Sequence, residues 1–319
     1  MSAIPERVRA MDVCDILDQA VALYRENFVT LLGIYALGYT PFWLLMGLGA
    51  HYISGFAMRM AAMAETEAVP SPDEVLSSML GFMVVGMVIF GTVLIVEPIV
   101  TGAVARAVSE RVLGRPTSIR SAYAALRGRV GALLLSSFVR IIAVYGGYNI
   151  ASLVAFLGGV FLMVISPTGG LIVVLLLQLG ALLGGSLVFI YMAFLGQIIA
   201  IERQGTGGAL ARSWRLVAGR LWRTSAIAGL LVLLVMALTL AFQVPASLAV
   251  DRWVPLGRTP EGAAVLVILI IVVVAVTSVL AAPLLAIGAT LMYYDLRVRR
   301  EGFDVQMMAA ALSRKEGET

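Results

Sequence analysis

The chain has 319 residues with a formal net charge of +4, and 61% of it is hydrophobic against 13% charged. A soluble domain is about 45–50% apolar and about 25% charged, and one soluble core cannot hide such an excess without leaving large apolar patches exposed. The composition therefore predicts an all-α polytopic transmembrane bundle and excludes a secreted disulfide domain, a disordered chain or a soluble nucleic-acid binder. Cys14 and His51 are the only residues of their kinds, so a disulfide, a Cys cluster or a His-rich metal site is not expected. No cofactor is implied.

Along the chain, residues 1–27 carry Glu6, Asp12, Asp15, Asp18 and Glu26. These acids rule out the uninterrupted apolar run of a signal peptide, so the segment reads as a retained cytoplasmic one. Within it Val13, Ile16, Leu17, Ala20, Val21 and Tyr24 form one helical stripe. Asp12 is suited to the N-cap and Asp15 to the first turn.

Six apolar stretches follow, at 28–58, 76–102, 131–165, 171–201, 224–250 and 263–294. Each meets the roughly 20 residues needed to cross a ~30 Å hydrocarbon core. The third holds Arg140 and the motif YGGYN at 145–149, so it is expected to bend there or to begin as an interfacial helix. The acidic stretch 64–74 reads as an outward loop.

Nineteen of the 23 basic residues fall in the N-terminal segment, the 103–130 and 202–223 connections and the tail from 295. By the positive-inside rule these segments are cytoplasmic, which gives six spans with both termini inside.

The connections resemble one another. IRSAYAALRGRV (119–130) aligns with LARSWRLVAGRL (210–221) at an offset of 91, bringing Tyr123 onto Trp214 and Arg129 onto Arg220. Positions 119, 122, 123, 126 and 130 share one helical face, so each segment is expected to be a short amphipathic helix entering a span. The even spans end on Glu110-Arg111, Glu202-Arg203 and Asp295-Leu296-Arg297. Pro98 and Pro283 each stand twelve residues before the exit acid, whereas Ile190 fills that place in the middle unit. The expectation is one transmembrane domain over 1–319 with a threefold repeat, units 12–111, 117–203 and 206–297, followed by a cytoplasmic tail at 298–319. The bland alternative is that amphipathic entry helices and inside arginines are common.

Three stretches carry a family resemblance: DILDQAVALYRENFVTLL (15–32), ARAVSERVLGRPTSIRSAY (105–123) and APLLAIGATLMYYDLRVRREGFDV (282–305). They resemble the membrane domain associated with glycerophosphoryl diester phosphodiesterases and related uncharacterised six-span proteins. The resemblance implies a multi-pass protein of the bacterial cytoplasmic (inner) membrane. It does not imply phosphodiesterase chemistry, which belongs to a separate soluble domain, and it carries over no catalytic residue.

Three groups of residues stand out. Glu97 and Arg140 are ionisable groups inside consecutive apolar stretches, where each costs at least ~2.5 kcal/mol without a partner. They are expected to pair about 15 Å from the arginine belt, beside a kink at Pro98. The alternatives are a purely structural pair or an Arg140 that snorkels to the interface. Tyr24, Arg120, Tyr123, Arg127, Arg212, Trp214, Arg215 and Trp222 compose a cytoplasmic face suited to anionic lipid or a protein partner, or to ordinary positive-inside anchoring. Glu110, Arg111, Glu202, Arg203, Asp295 and Arg297 form either a ring of exit salt bridges or independent solvated charges.

Small residues in GALLG (180–184) point to close helix packing. Weighed together, these features favour a non-enzymatic scaffold, accessory subunit or lipid-interacting protein. The alternative is a transporter or channel with a polar site around Glu97 and Arg140. An enzyme ranks last, because no nucleophile–base pair, metal cluster or carboxylate dyad stands at usable spacing.

Overall fold

A computed structural model describes residues 9–65, 71–251 and 260–316. Among them there is no strand, and 89% of the structure is helical. The helices are α1 (Val13–Glu26), α2 (Phe28–Glu65), α3 (Pro72–Val112), α4 (Ile119–Ala124) and α5 (Val130–Ile141). A π-helical turn (Ile142–Gly146) joins α5 to α6 (Gly147–Met163). Then come α7 (Pro167–Tyr191), α8 (Leu195–Glu202), α9 (Thr206–Val217), α10 (Leu221–Asp251), α11 (Pro260–Glu301) and α12 (Phe303–Glu316). Six helical runs are long and apolar enough to cross a membrane: Phe28–Phe56, Pro72–Val112, Val130–Met163, Pro167–Glu202, Leu221–Ala246 and Val265–Glu301. Each corresponds to one stretch expected from the sequence. The protein is a polytopic transmembrane helical bundle.

Neighbouring spans pack as three hairpins, α2 on α3, α6 on α7 and α10 on α11, and α3 also contacts α5, α8 and α11. The first hairpin shortens the loop expected at 64–74, since α2 runs to Glu65 and α3 begins at Pro72. Ser71 caps α3, its Oγ accepting from the Glu74 N–H at 3.2 Å, while the Glu74 carboxylate accepts from the Ser71 N–H at 2.8 Å. With Pro72 at the first helical position, this reciprocal cap starts the helix early and puts Asp73 and Glu74 in its first turn. Residues 66–70 of that loop lie outside the described residues.

The fourth span is interrupted where the sequence suggested none. α7 ends at Tyr191, and α8 resumes at Leu195. Ser213 of α9 fills the gap: its hydroxyl donates to the Tyr191 carbonyl at 2.7 Å and accepts from the Phe194 N–H at 3.4 Å. A side chain inserted into the helical ladder is a recognised cause of a break. It falls near Ile190, where the other two even spans carry a proline. The third span instead stays helical through YGGYN, absorbing its irregularity in the π-turn.

The entry segment at 119–130 is not one helix. α4 stops at Ala124, and the chain turns through Gly128 at φ +77° before α5. The equivalent passage from α9 to α10 turns through Gly219 at φ +80°. Both positions require the left-handed region that glycine enters freely, and this turns the amphipathic piece away from the span it precedes.

Burial divides each long helix in two. Large exposed apolar side chains run from 75 to 95 on α3, 171 to 189 on α7, 230 to 248 on α10 and 265 to 285 on α11. Each belt is close to the ~20 residues that match one hydrocarbon thickness. Beyond it lies a continuous buried core drawn from 11–35, 96–112, 122–133, 192–217 and 284–298. The six spans thus project past the belt at one end, where α1, α4 and α9 pack among them. That folded end carries the arginine-rich connections.

Candidate functional site

Glu97 and Arg140 meet. Arg140 Nη2 donates to Glu97 Oε2 at 2.8 Å, and the two side chains retain 21% and 30% exposure, respectively. Ser137 reaches the same oxygen at 3.4 Å, and Thr101 reaches Oε1 at 3.5 Å. The Arg140 guanidinium also lies 5.9 Å from the centre of the Phe189 ring. On α3 exposure ends at Ile95, and on α7 at Phe189. The pair therefore sits at the edge of the apolar belt and not at its middle. The expected spacing from the arginines stands, but the packed end fills that distance with protein.

Other polar groups in the spans are consumed locally. Asn149 donates to the Tyr145 carbonyl at 2.7 Å, and Ser152 donates to Gln178 at 2.8 Å. Gln197 is the exception, its buried Oε1 having no hydrogen-bond partner among the described residues. Between α6 and α7 a groove of about 520 Å³ is lined by Ala143, Gly147, Ala151, Gly180 and Gly184, among others.

The aromatic and arginine set splits. Tyr24 is buried and donates through its hydroxyl to the Leu280 carbonyl at 2.7 Å; Tyr123 does the same to the Ile34 carbonyl at 2.7 Å. Burial pushes both hydroxyls up to about 12, so they remain neutral donors. These two belong to the core and not to a surface face, because each carries the apolar stripe of its entry helix inward and satisfies its polar tip on a span. Trp214 stacks on Tyr191 with ring centres 4.1 Å apart yet is 51% exposed, and Trp222 is 85% exposed. Arg120, Arg127 and Arg215 are exposed as well.

Arg212 is not free for a ligand. It sits 2.5 Å from Glu202 and makes two parallel bonds to Glu301 at 2.7 and 2.8 Å. Burial alone would lower its pKa, but hydrogen bonds to Glu301 and Glu202, with their charges, outweigh that and hold it above the ordinary value.

The exit charges link two units, not three. Glu202 lies 3.8 Å from Arg297 and accepts the Tyr293 hydroxyl at 2.5 Å. Glu110 pairs within its own exit, with Arg106 at 2.6 Å and Arg115 at 3.6 Å. Its exit joins the third through a neutral contact, Ser109 with the Tyr294 hydroxyl at 2.7 Å. Arg111 leaves a buried Nε unpartnered among the described residues, and Arg203 is exposed at φ +57° where it ends α8.

Asp295, 0% exposed, turns away from the other exits. It accepts the Met11 N–H at 2.9 Å and Arg299 at 2.8 Å, with Arg223 at 3.2 Å. Glu301, Arg223 and Arg299 were not legible as partners in sequence. Only the four-residue spacings Arg297–Glu301 and Asp295–Arg299 on one helix hinted at two of them. Among the described residues, no group of three or more His, Cys, Asp or Glu is placed to hold a metal.

The sequence matches a family described as a domain of unknown function, DUF7847, over residues 11–296. The chain belongs to this family. No curated protein matches it, and no solved structure does. No named relative supports the closer likeness to the phosphodiesterase-associated membrane domain. The DUF7847 match opens on Met11 and closes one residue after Asp295, so the Met11–Asp295 bond ties together the two ends of the family unit. Glu301 and α12 lie beyond it.

Proposed function

We propose that this DUF7847 protein is a non-enzymatic membrane scaffold or accessory subunit. Its folded, arginine-rich end meets an anionic leaflet and docks a protein partner. One observation carries this: the spans continue past the apolar belt into a packed body whose surface presents Trp222, Trp214, Arg120, Arg127 and Arg215. Exposed tryptophan and arginine at a membrane boundary suit headgroups.

The reading includes the cytoplasmic face of a bacterial inner membrane for this end, with both termini on that side, supported by the arginine distribution. It also includes the phosphodiesterase-associated resemblance and the threefold repeat. The left-handed glycines at 128 and 219, standing 91 residues apart, support the second and third units as copies.

The test is lipid enrichment around the protein in nanodiscs containing graded phosphatidylglycerol. Arg120→Gln/Arg127→Gln/Arg215→Gln should lose the anionic enrichment shown by the parent. An unchanged annulus would sink the headgroup reading, and cross-linking would then report any protein partner alone.

A second reading, a transporter, is favoured by the Glu97–Arg140 pair beside Pro98 and the π-turn, since broken helices and charged pairs line transport sites. Solute flux in proteoliposomes that disappears in Glu97→Gln would decide for it.

A further inference from the structure

We propose that the Glu97–Arg140 pair and the α6/α7 groove form one site for a glycerophospholipid with a zwitterionic, ammonium-bearing headgroup. The inference rests on the lipid-interacting reading but names a different place on the molecule from the arginine-rich surface.

The first observation is unspent hydrogen bonding. Arg140 engages Glu97 through Nη2 and lies beside Phe189. Among the described residues its Nε and Nη1 meet no acceptor, though a guanidinium has five N–H donors to place. Among the described residues Glu97 Oε1 has only the long 3.5 Å contact from Thr101. Both side chains stay partly exposed at the boundary of the apolar belt. Charged groups there need partners, and hydrocarbon supplies none.

The chemistry of the pair selects the ligand. A lone anion would gain Arg140 but face the Glu97 carboxylate; a lone cation would meet the reverse. A headgroup carrying a phosphate and an ammonium satisfies both, with phosphate on the spare Arg140 donors and ammonium on the spare Glu97 oxygen.

The second observation is the groove. Ala143, Gly147 and Ala151 line it from the span that carries Arg140, three, seven and eleven residues onward. Opposite them stand Gly180, Gly184 and Val188, the last next to Phe189 under the guanidinium. The lining runs from 143 to 155 and from 188 to 177, roughly 16–18 Å at 1.5 Å per residue. Half of a ~30 Å hydrocarbon core is about 15 Å, so the groove accepts one acyl chain of one leaflet. Ser152 and Gln178 bond across α6 and α7 near its far end. A Cβ added at Gly147, Gly180 or Gly184 would meet nothing within 4 Å, so the space is open and not needed for helix contact.

The test uses full-length protein loaded with phosphatidylethanolamine or phosphatidylglycerol and read by native mass spectrometry after detergent strips the annular lipid. The parent should keep one phosphatidylethanolamine per chain and prefer it over phosphatidylglycerol by about tenfold, the weight of one charge-assisted contact. Gly180→Leu/Gly184→Leu, which fills open space, should remain helical and monodisperse and lose the retained lipid. Glu97→Gln should keep a lipid but lose the preference.

Variant folding need not be assumed, because the parent alone should retain eighteen-carbon chains (about one leaflet deep) and release eight-carbon ones. Retention by the groove-filled variant, equal retention of both headgroups by the parent, or indifference to chain length would each overturn the proposal. The result is independent of the arginine-surface variants, whose effect is on the annular lipid that the detergent removes.

Discussion

The backbone N–H of Met11 donates to Asp295 over 2.9 Å, joining the start of the first entry helix to the end of the last span. Arg299 and Arg223 converge on the same carboxylate, and both also donate to the Met11 carbonyl. The Met11 carbonyl and one acid are thus held by two arginines at a point where Asp295 is wholly buried. Removing the acid leaves two cations facing a carbonyl. Asp295→Ala should therefore cost about 3–5 kcal/mol, as for other broken buried pairs, measured by denaturant unfolding in detergent. Asp295→Asn, which still offers an acceptor to Met11, should cost less. An unchanged midpoint for the alanine variant would deny the clamp its stabilising role.

Glu97 and Arg140 should be energetically coupled whatever they bind. Glu97→Gln strands a guanidinium at the belt edge, and Arg140→Met strands a carboxylate there. The double variant removes both charges at once. Its loss should fall short of the summed single losses by about 0.5–3 kcal/mol, the range for contacting residues. A thermal-unfolding cycle in one detergent reads this directly, and additive losses would refute the pairing.

Much of the fold was legible because a ~30 Å hydrocarbon core imposes a length that composition reveals. All six spans could be found, as could Glu97 opposite Arg140, since antiparallel neighbours bring equal depths together. What the apolar pattern could not reveal was where the membrane stops. Residues 96–102 and 284–294 continue the apolar stretches of their spans yet are largely buried in protein, so the pair came out at the belt edge and not its middle. The break at 192–194 was equally hidden. Its cause is Ser213, nineteen residues from Phe194 in the chain and visible only through tertiary contact. Tyr24 and Tyr123 read as interfacial aromatics because an amphipathic stripe does not say whether lipid or protein covers it.

Those two tyrosines predict an alkaline limit. Their pKa stands near 12 in the fold against 10 ordinarily, so the folded state favours the neutral hydroxyl. The stability this gives is complete below about pH 10 and is lost as pH rises toward about 12. Tyr24→Phe/Tyr123→Phe should be less stable at neutral pH by about 1 kcal/mol per lost hydrogen bond. It should also lose stability less steeply between pH 10 and 12, followed by thermal unfolding alongside tyrosinate absorbance. An unaltered slope would mean that ionisation elsewhere governs the alkaline transition.

The glycines at 128 and 219 give the repeat an energetic test. Each turns an entry piece into a span at φ near +80°, and neither is held there by crowding. A Cβ at 128 would meet nothing within 4 Å, and one at 219 only the mobile end of Arg300 at 3.0 Å. The cost of alanine is therefore conformational, about 1–2 kcal/mol for an L residue in the left-handed region. Gly128→Ala and Gly219→Ala should destabilise by similar amounts in that range. Gly86→Ala, in the interior of α3 with open space beside it, should be neutral or stabilising by up to about 1 kcal/mol. If the second and third units are copies, the two turns do the same work and should fail alike. A large loss at one position with none at the other would separate the units and count against the repeat.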